Sequence, residues 1–366
     1  MNYNASDYVK KLFKSPELEE LSKKEKYFHF ELNKIRDKFL KGDENAQCMH
    51  DFCSQKAIKS HSFSEYIIKG IEKKEDKLLT PNYDPSSKKF TMLPTATSEA
   101  GTFRGFCREH DINLFKEIEN IKVDNKILEI NSPKYSTIQT YRILCREIKF
   151  MLSEIKAHFY TLDEYISNTS KRIENIIEKK ILSDSAIKNL GKDDMNLTNI
   201  LINRKKYDLI NTRYWQAMTT IIQRRMFLIE KIEKLRIIKN KIRKRIFDSK
   251  FSYEYNDDGI KLTAREVNII SPILLSFWIS QEYTNNPILI YIISNQEKSW
   301  IVFCYKNEDY DTFRSILEKE EDDLLTFIYK QIGKGYVGNF FASEKFIQTH
   351  PEIKENLEKN FHNPNA

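Results

Sequence analysis

From Lys134 to Phe247 the chain contains no proline and only one glycine, Gly191, so it lacks the two residues that most readily interrupt a helix. Apolar residues recur three and four apart: Ile138, Tyr141, Leu144, Ile148, Met151, Ile155, Phe159, Leu162 and Ile166, then Leu201, Tyr214, Met218, Ile222, Leu228, Ile232 and Leu235. That spacing lines one face of a helix. Two long antiparallel helices, forming a coiled-coil-like hairpin over residues 134–250, are the predicted result. The break belongs near Ser183–Asp194, where Ser183-Asp184-Ser185 offers a cap, Gly191 a stop and Asp193-Asp194 a new acidic start.

The flanking segments have different textures. Residues 1–42 carry Leu18, Leu21, Tyr27, Phe28, Leu32 and Phe39 at helical spacing and end at Lys41-Gly42-Asp43, which predicts leading helices. Over 43–133 Cys, His, Ser, Pro and Gly concentrate, and helical periodicity is confined to Ser64–Lys74 and Asn113–Ile121. This stretch reads as a compact module. After residue 250, Pro287–Ser294 and Lys298–Tyr305 are apolar, β-branched and aromatic runs separated by Asn295-Gln296-Glu297, the pattern of a β-hairpin. Helices are expected at 309–331 and 342–359, with Trp278 and Trp300 in the core, giving a small α+β domain over 251–366. The fold class is therefore mainly α with α+β parts.

Within 43–133 two short elements carry metal-binding chemistry. Cys48-Met-His-Asp-Phe-Cys53 is a turn with two thiols, and Cys107-Arg-Glu-His110 places a thiol and an imidazole three residues apart, on one face of a helical first turn. Glu109, Asp111 and the stripe Leu114, Phe115, Ile118 support a helix starting there. Cys48, Cys53, Cys107 and His110 together make a Cys₃His set suited to a tetrahedral structural Zn²⁺. His50 is an alternative fourth ligand, disfavoured by its place inside the turn. Five cysteines, an odd number with three beside a histidine, point to metal ligation in a reducing compartment rather than to disulfides.

A turn supplying two ligands and a distant helix start supplying two more resembles the treble-clef zinc finger, including its HNH endonuclease branch, over about residues 43–121. The resemblance implies that His61, in Lys59-Ser60-His61-Ser62 after the turn, is a general base activating water. It also implies a catalytic Mg²⁺ or Mn²⁺, but Ser60 stands where the family usually carries a metal ligand. Asp111 and Asn113 on the following helix are the substitutes that the pattern offers. A bacterial, phage-defence role is what the family suggests by analogy.

Other residues in the module have structural and functional readings side by side. Ser62 and Ser64 read as N-caps of a helix from Glu65. Phe103 and Phe106 read as a small core under the zinc. Arg104 reads as a contact to phosphate or carboxylate, and His61 itself reads equally as a structural hydrogen-bonding group.

The chain is mildly basic, at +7, and the charge is concentrated. Between Ile221 and Lys250 eleven lysines and arginines stand against Glu230, Glu233 and Asp248, a net of +8. Part of this face can pair with Glu147, Glu154, Glu164, Glu174 and Glu178 on the neighbouring helix. Lys239, Lys241, Arg243, Lys244 and Arg245 have no acidic partners near them in sequence and form the candidate nucleic-acid site. No apolar run is long enough to span a membrane, and the Asn-, Asp- and Lys-bearing first residues lack a signal peptide's apolar core, so a cytoplasmic protein without a membrane role is expected. The absence of phosphate-binding loops, dinucleotide fingerprints and Gly-x-Ser-x-Gly elbows weighs against nucleotide hydrolysis, redox and acyl-transfer chemistry. Two readings survive. One is a zinc-containing HNH-like nucleic-acid-binding protein that is also a candidate metal-dependent endonuclease. The other is a non-catalytic zinc-stabilised scaffold whose helical arm meets a protein partner or a second copy of the chain.

Overall fold

The computed structural model describes residues 5–18, 26–71, 77–84, 89–119, 131–183, 192–267, 273–279, 286–294, 299–333 and 337–360. The chain divides into two compact units that cut across the four sequence segments: Met1–Phe39 with Leu152–Glu230, and Leu40–Met151 with Lys231–Ala366. Each of the two long helices, α5 (Pro133–Ser183) and α6 (Lys192–Phe247), contributes to both units. The break read from the sequence, including Gly191, lies mainly outside the described residues.

In the first unit α1 (Ala5–Phe13) packs near the end of the hairpin where α5 stops and α6 starts, and α2 (Lys26–Lys41) packs on its central part. Tyr8, Val9 and Leu12 of α1 are buried with Ile173, Ile177 and Ile202, and Leu32 of α2 with Ala157, Leu162, Tyr165, Ala217 and Ile221. Polar pairs fix the antiparallel register: Glu154 meets Arg224 at 2.7 Å and Glu174 meets Lys206. Of the acids expected to neutralise the basic face, Glu154 does so through Arg224, Glu174 instead meets Lys206 outside that face, and Glu147 pairs with its own neighbour Arg146.

The second unit is built on a seven-stranded antiparallel sheet in the order β3-β2-β9-β6-β7-β8-β5. Here β2 is Leu78–Asp84, β3 Lys89–Pro94, β5 Ile260–Val267, β6 Ile273–Ile279, β7 Ile288–Ser294, β8 Ser299–Lys306 and β9 Val337–Ser343. The β7–β8 pair is the predicted hairpin; its turn at 295–297 falls outside the described residues. Every residue of β7 is buried, as a continuous apolar run in the middle of a sheet should be. Ile288, Ile290 and Ile292 face a core with Phe313 and Ile316 of α7 (Tyr310–Leu317), and Leu324, Leu325, Ile328 and Ile332 of α8 (Glu321–Gly333). Each such side chain contributes about 1.5–3 kcal/mol when fully buried. On the opposite face, the Tyr291 hydroxyl donates to the Ser136 carbonyl at 3.0 Å and meets Thr140 Oγ1 at 3.1 Å, both on α5.

Two features depart from the sequence reading. The module between the metal-ligand pairs supplies the edge hairpin β2–β3 to this sheet, through Leu78↔Ser343 and Leu79↔Ala342. Pro81 lies beyond that short pairing, so its missing N–H costs no bond to β9. The helix expected at 342–359 is two, α9 (Glu344–Thr349) and α10 (Pro351–Asn360), because Pro351 starts a new helix instead of continuing the old one. Trp300 is buried as expected; the side chain of Trp278 lies outside what is described.

Within this unit the end of α6 is locked by Arg245, which is buried, makes two hydrogen bonds of 2.7 and 2.6 Å to the Asp258 carboxylate and donates to the Ile260 carbonyl. Burial alone would raise the Asp258 carboxyl, but the Arg245 and Ile260 hydrogen bonds outweigh it and hold it below its ordinary value. A depressed carboxyl gives stability that is present above its unfolded pKa and is lost as pH falls through the folded one. Arg245→Ala is therefore expected to cost about 3–5 kcal/mol at neutral pH, read from urea midpoints. The gap to wild type should narrow as pH falls below the unfolded carboxylate pKa of about 3.9 and through the lower folded value of Asp258.

Candidate metal centre

The first ligand pair is held by a closed turn. Cys48 N–H donates to the Gln55 carbonyl at 2.9 Å, Ala57 N–H to Ala46 at 2.8 Å, and Cys53 N–H to His50 at 3.2 Å. Phe52, inside the turn, has φ 65. The second pair starts α4 (Arg108–Glu119). Cys107 occupies its N-cap position, where Asp111 N–H bonds the Cys107 carbonyl at 2.9 Å and His110 N–H approaches the Cys107 sulfur at 3.5 Å. The two halves are tied by Met49 N–H to the Gly105 carbonyl and Ile58 N–H to Phe106, both 2.7 Å.

Below them lies the expected small core: Phe103, Phe106 and Phe115 are fully buried, with Phe106 edge-on to Phe115 at 4.9 Å. Gly105 has no freedom to grow, since a Cβ there would sit 2.1 Å from the Phe103 ring.

Cys48, Cys53, Cys107 and His110 place their donor atoms within 4.8 Å of one another. Individual separations are 3.5 Å for Cys48 Sγ to His110 Nδ1, 3.2 Å for Cys107 Sγ to the same nitrogen, and 3.9 Å for Cys53 Sγ to Cys107 Sγ. A tetrahedron with Zn–S of about 2.3 Å and Zn–N of about 2.0 Å has S···S edges of about 3.8 Å and S···N edges of about 3.6 Å. The donor set is thus compatible with zinc, with His110 binding through Nδ1. Burial pushes the Cys48 thiol up to about 12, so without a cation it stays protonated. His50 is not a fourth ligand here; its ring stacks on His110 with centroids 3.9 Å apart. Burial, followed by the charge of His110, lowers its pKa. The other two cysteines, Cys145 and Cys304, are buried elsewhere, and burial pushes each up to about 12. They serve as packing.

No protein-family model, curated protein or solved structure matches this chain. The metal-binding character of the cluster rests on its donor geometry.

Around the cluster, the other candidate residues are placed as follows. His61 ends β1 (Lys59–His61), which pairs with β4 (Thr102–Arg104) through His61↔Thr102. Its Nε2 is 3.3 Å from the Thr97 carbonyl. Asp111 does not join it: that carboxylate lies 4.0 Å from the Arg142 guanidinium, which also binds Glu119. Asn113 is exposed on α4. Among the described residues the Cys₃His group alone brings three or more His, Cys, Asp or Glu donors close enough for a metal.

Three further expectations are corrected. Arg104 binds backbone carbonyls, those of Lys41 and Ala57, at 3.2 Å each. Ser62 is not a helix cap. Its hydroxyl accepts from Asn339 Nδ2 at 2.6 Å and its carbonyl from Gln139 Nε2 at 2.8 Å, while the buried Ser64 hydroxyl has no hydrogen-bond partner. The basic cluster at the end of α6 is largely occupied, since Lys239 and Arg243 both bind Asp51 and Arg245 binds Asp258. Lys241 is half-buried and Lys244 alone of the five is exposed. The partner of Lys239 and Arg243 lies far away in sequence, Asp51 by 188 residues from Lys239, which is why local charge counting missed it, whereas Asp258 follows Arg245 by 13 residues.

The centre predicts one zinc per chain in protein purified without chelator, by elemental analysis. Cys107→Ser should lose the metal and melt at lower temperature. His50→Ala should keep it with about tenfold weaker affinity, at the low end for a residue supporting a ligand, measured by chelator competition.

Proposed function

We propose that this chain is a zinc-stapled nucleic-acid-binding protein of the HNH-like kind, with zinc structural and His61 the group placed to act as general base. What supports the treble-clef part is the order of elements around the donors: a two-thiol turn, the β1–β4 pair, and a helix whose first turn brings Cys107 and His110. The observation that carries the catalytic part is the setting of His61. A carbonyl can only accept, so Nε2 carries the proton donated to Thr97 O, and Nδ1 is left with its lone pair. A neutral imidazole with one nitrogen anchored is the form that abstracts a proton near neutral pH.

Glu65 and Glu99 are the acids whose carboxyls feel the His61 charge, weakly, beside stronger bonds to Lys69 and Lys59. Both are more accessible than Asp111, which Arg142 engages. In this reading Glu65 and Glu99 replace Asp111 and Asn113 as the oxygen donors that a Mg²⁺ or Mn²⁺ would need. A bacterial defence role extends the same reading by analogy with HNH proteins.

The scaffold alternative has its own support. Arg142, Lys239, Arg243 and Arg245 are all committed to internal acids, and α6 exposes Trp215, Ile222, Met226 and Ile229, an apolar stripe that a protein partner or second copy would cover.

Cleavage of plasmid and single-stranded substrates with added Mg²⁺ or Mn²⁺ separates the two. The proposal expects His61→Ala to reduce the rate by about 10²–10⁴-fold with zinc content unchanged, and Glu99→Gln to weaken metal dependence. Equal behaviour of wild type and His61→Ala would leave the scaffold reading.

A further inference from the structure

The two-thiol turn carries a residue whose conformation and exposure are both unfavourable. Phe52 has φ 65, a region that disfavours any side chain with a Cβ, and its ring is fully exposed, at 106%. Zinc ligation by Cys48 and Cys53 asks nothing of this side chain, and glycine would fit the backbone better. A strained, wholly exposed aromatic at the tip of a rigid turn points to use.

Its surroundings indicate what kind. Asp51, the preceding residue, binds Lys239 at 3.0 Å and also Arg243, so one carboxylate is shared by two cations and the group remains positive. The Arg243 guanidinium lies 6.0 Å from the Phe247 ring centre, and Phe247, 61% exposed, stands edge-on to His50 at 6.0 Å. Phe52 follows Asp51 in the turn that Arg243 binds, and Phe247 lies beside Arg243 and His50, so both residues belong to the elements that meet at this contact. Lys244 and Lys250 are exposed on the same helix end, with Asp248 the one acid between them. Two separated rings set among cations are poorly suited to a dry protein interface, which wants contiguous apolar area. They suit a strand in which flat bases alternate with phosphates.

We propose that this face binds single-stranded nucleic acid without sequence preference, with bases stacking on Phe52 and Phe247 and phosphates held by the exposed Lys244 and Lys250. The proposal rests on the nucleic-acid reading above and adds to it a contact surface separate from His61.

Fluorescence anisotropy with labelled oligothymidylate, oligouridylate and a duplex of equal length tests it, using full-length zinc-loaded protein. Phe52→Gly should melt at an unchanged or higher temperature, because the left-handed backbone is relieved, yet bind the single strands about ten- to a hundredfold more weakly. Phe247→Ala should lose a similar factor. Lys244→Ala should reduce the salt dependence by about one phosphate contact. If wild type binds but Phe52→Gly and Phe247→Ala bind equally well, the stacking surface is overturned and the nucleic-acid reading stands. If wild type binds none of the three probes, the nucleic-acid reading itself fails.

Discussion

Three thiols and an imidazole gathered within 4.8 Å have no reason to converge through packing alone, since each sulfur gives up apolar or solvent contacts to face other donors. A cation at their centre supplies that reason, and much of the second unit is arranged around the same point. The turn bearing Cys48 and Cys53 is bonded to the backbone at Gly105 and Phe106, the Phe cluster fills the space beneath, and α4 begins with Cys107. From there Ser62 links the module to α5 through Gln139 and to β9 through Asn339. A cation held there would thus stabilise more than a peripheral finger.

Charge is used in this unit chiefly to hold elements in place. Lys239 and Arg243 pin the turn to α6 through Asp51, Arg245 pins the end of α6 to the turn before β5, and Arg142 bridges α5 to Glu119 of α4. Removing a charge from such a pair leaves its partner desolvated, so these contacts specify geometry more than they add net stability. The basic character left at the surface is correspondingly small and local, which makes the few exposed cations near Phe52 and Phe247 informative.

Sequence patterns were sufficient where the physics is local. A long stretch without proline announces helices, two apolar runs around a polar turn announce β7–β8, and paired Cys and His spacing brings the four ligands into view before any fold is known. They failed where a partner lies far along the chain. Nothing near Lys239 hints at Asp51, nothing near β2 hints at β9, and the composition of residues 43–133, read as a compact module, gave no sign that its middle would complete a distant sheet. The carbonyl of Thr97, which orients His61, is invisible to residue types altogether, because any amino acid could supply it.

The shared sheet bears on how the protein is made. The four metal ligands are all translated within one early stretch, so the cysteine turn and α4 can close on an ion soon after they leave the ribosome. The edge hairpin between them waits much longer for its neighbour: Thr80 meets the Phe340 carbonyl across 260 residues. At ordinary elongation rates that interval is on the order of ten to fifty seconds. During it β2 presents an unpaired edge beside an otherwise finished metal site, and a nascent chain in that state is a substrate for chaperones and proteases before it is a folded protein.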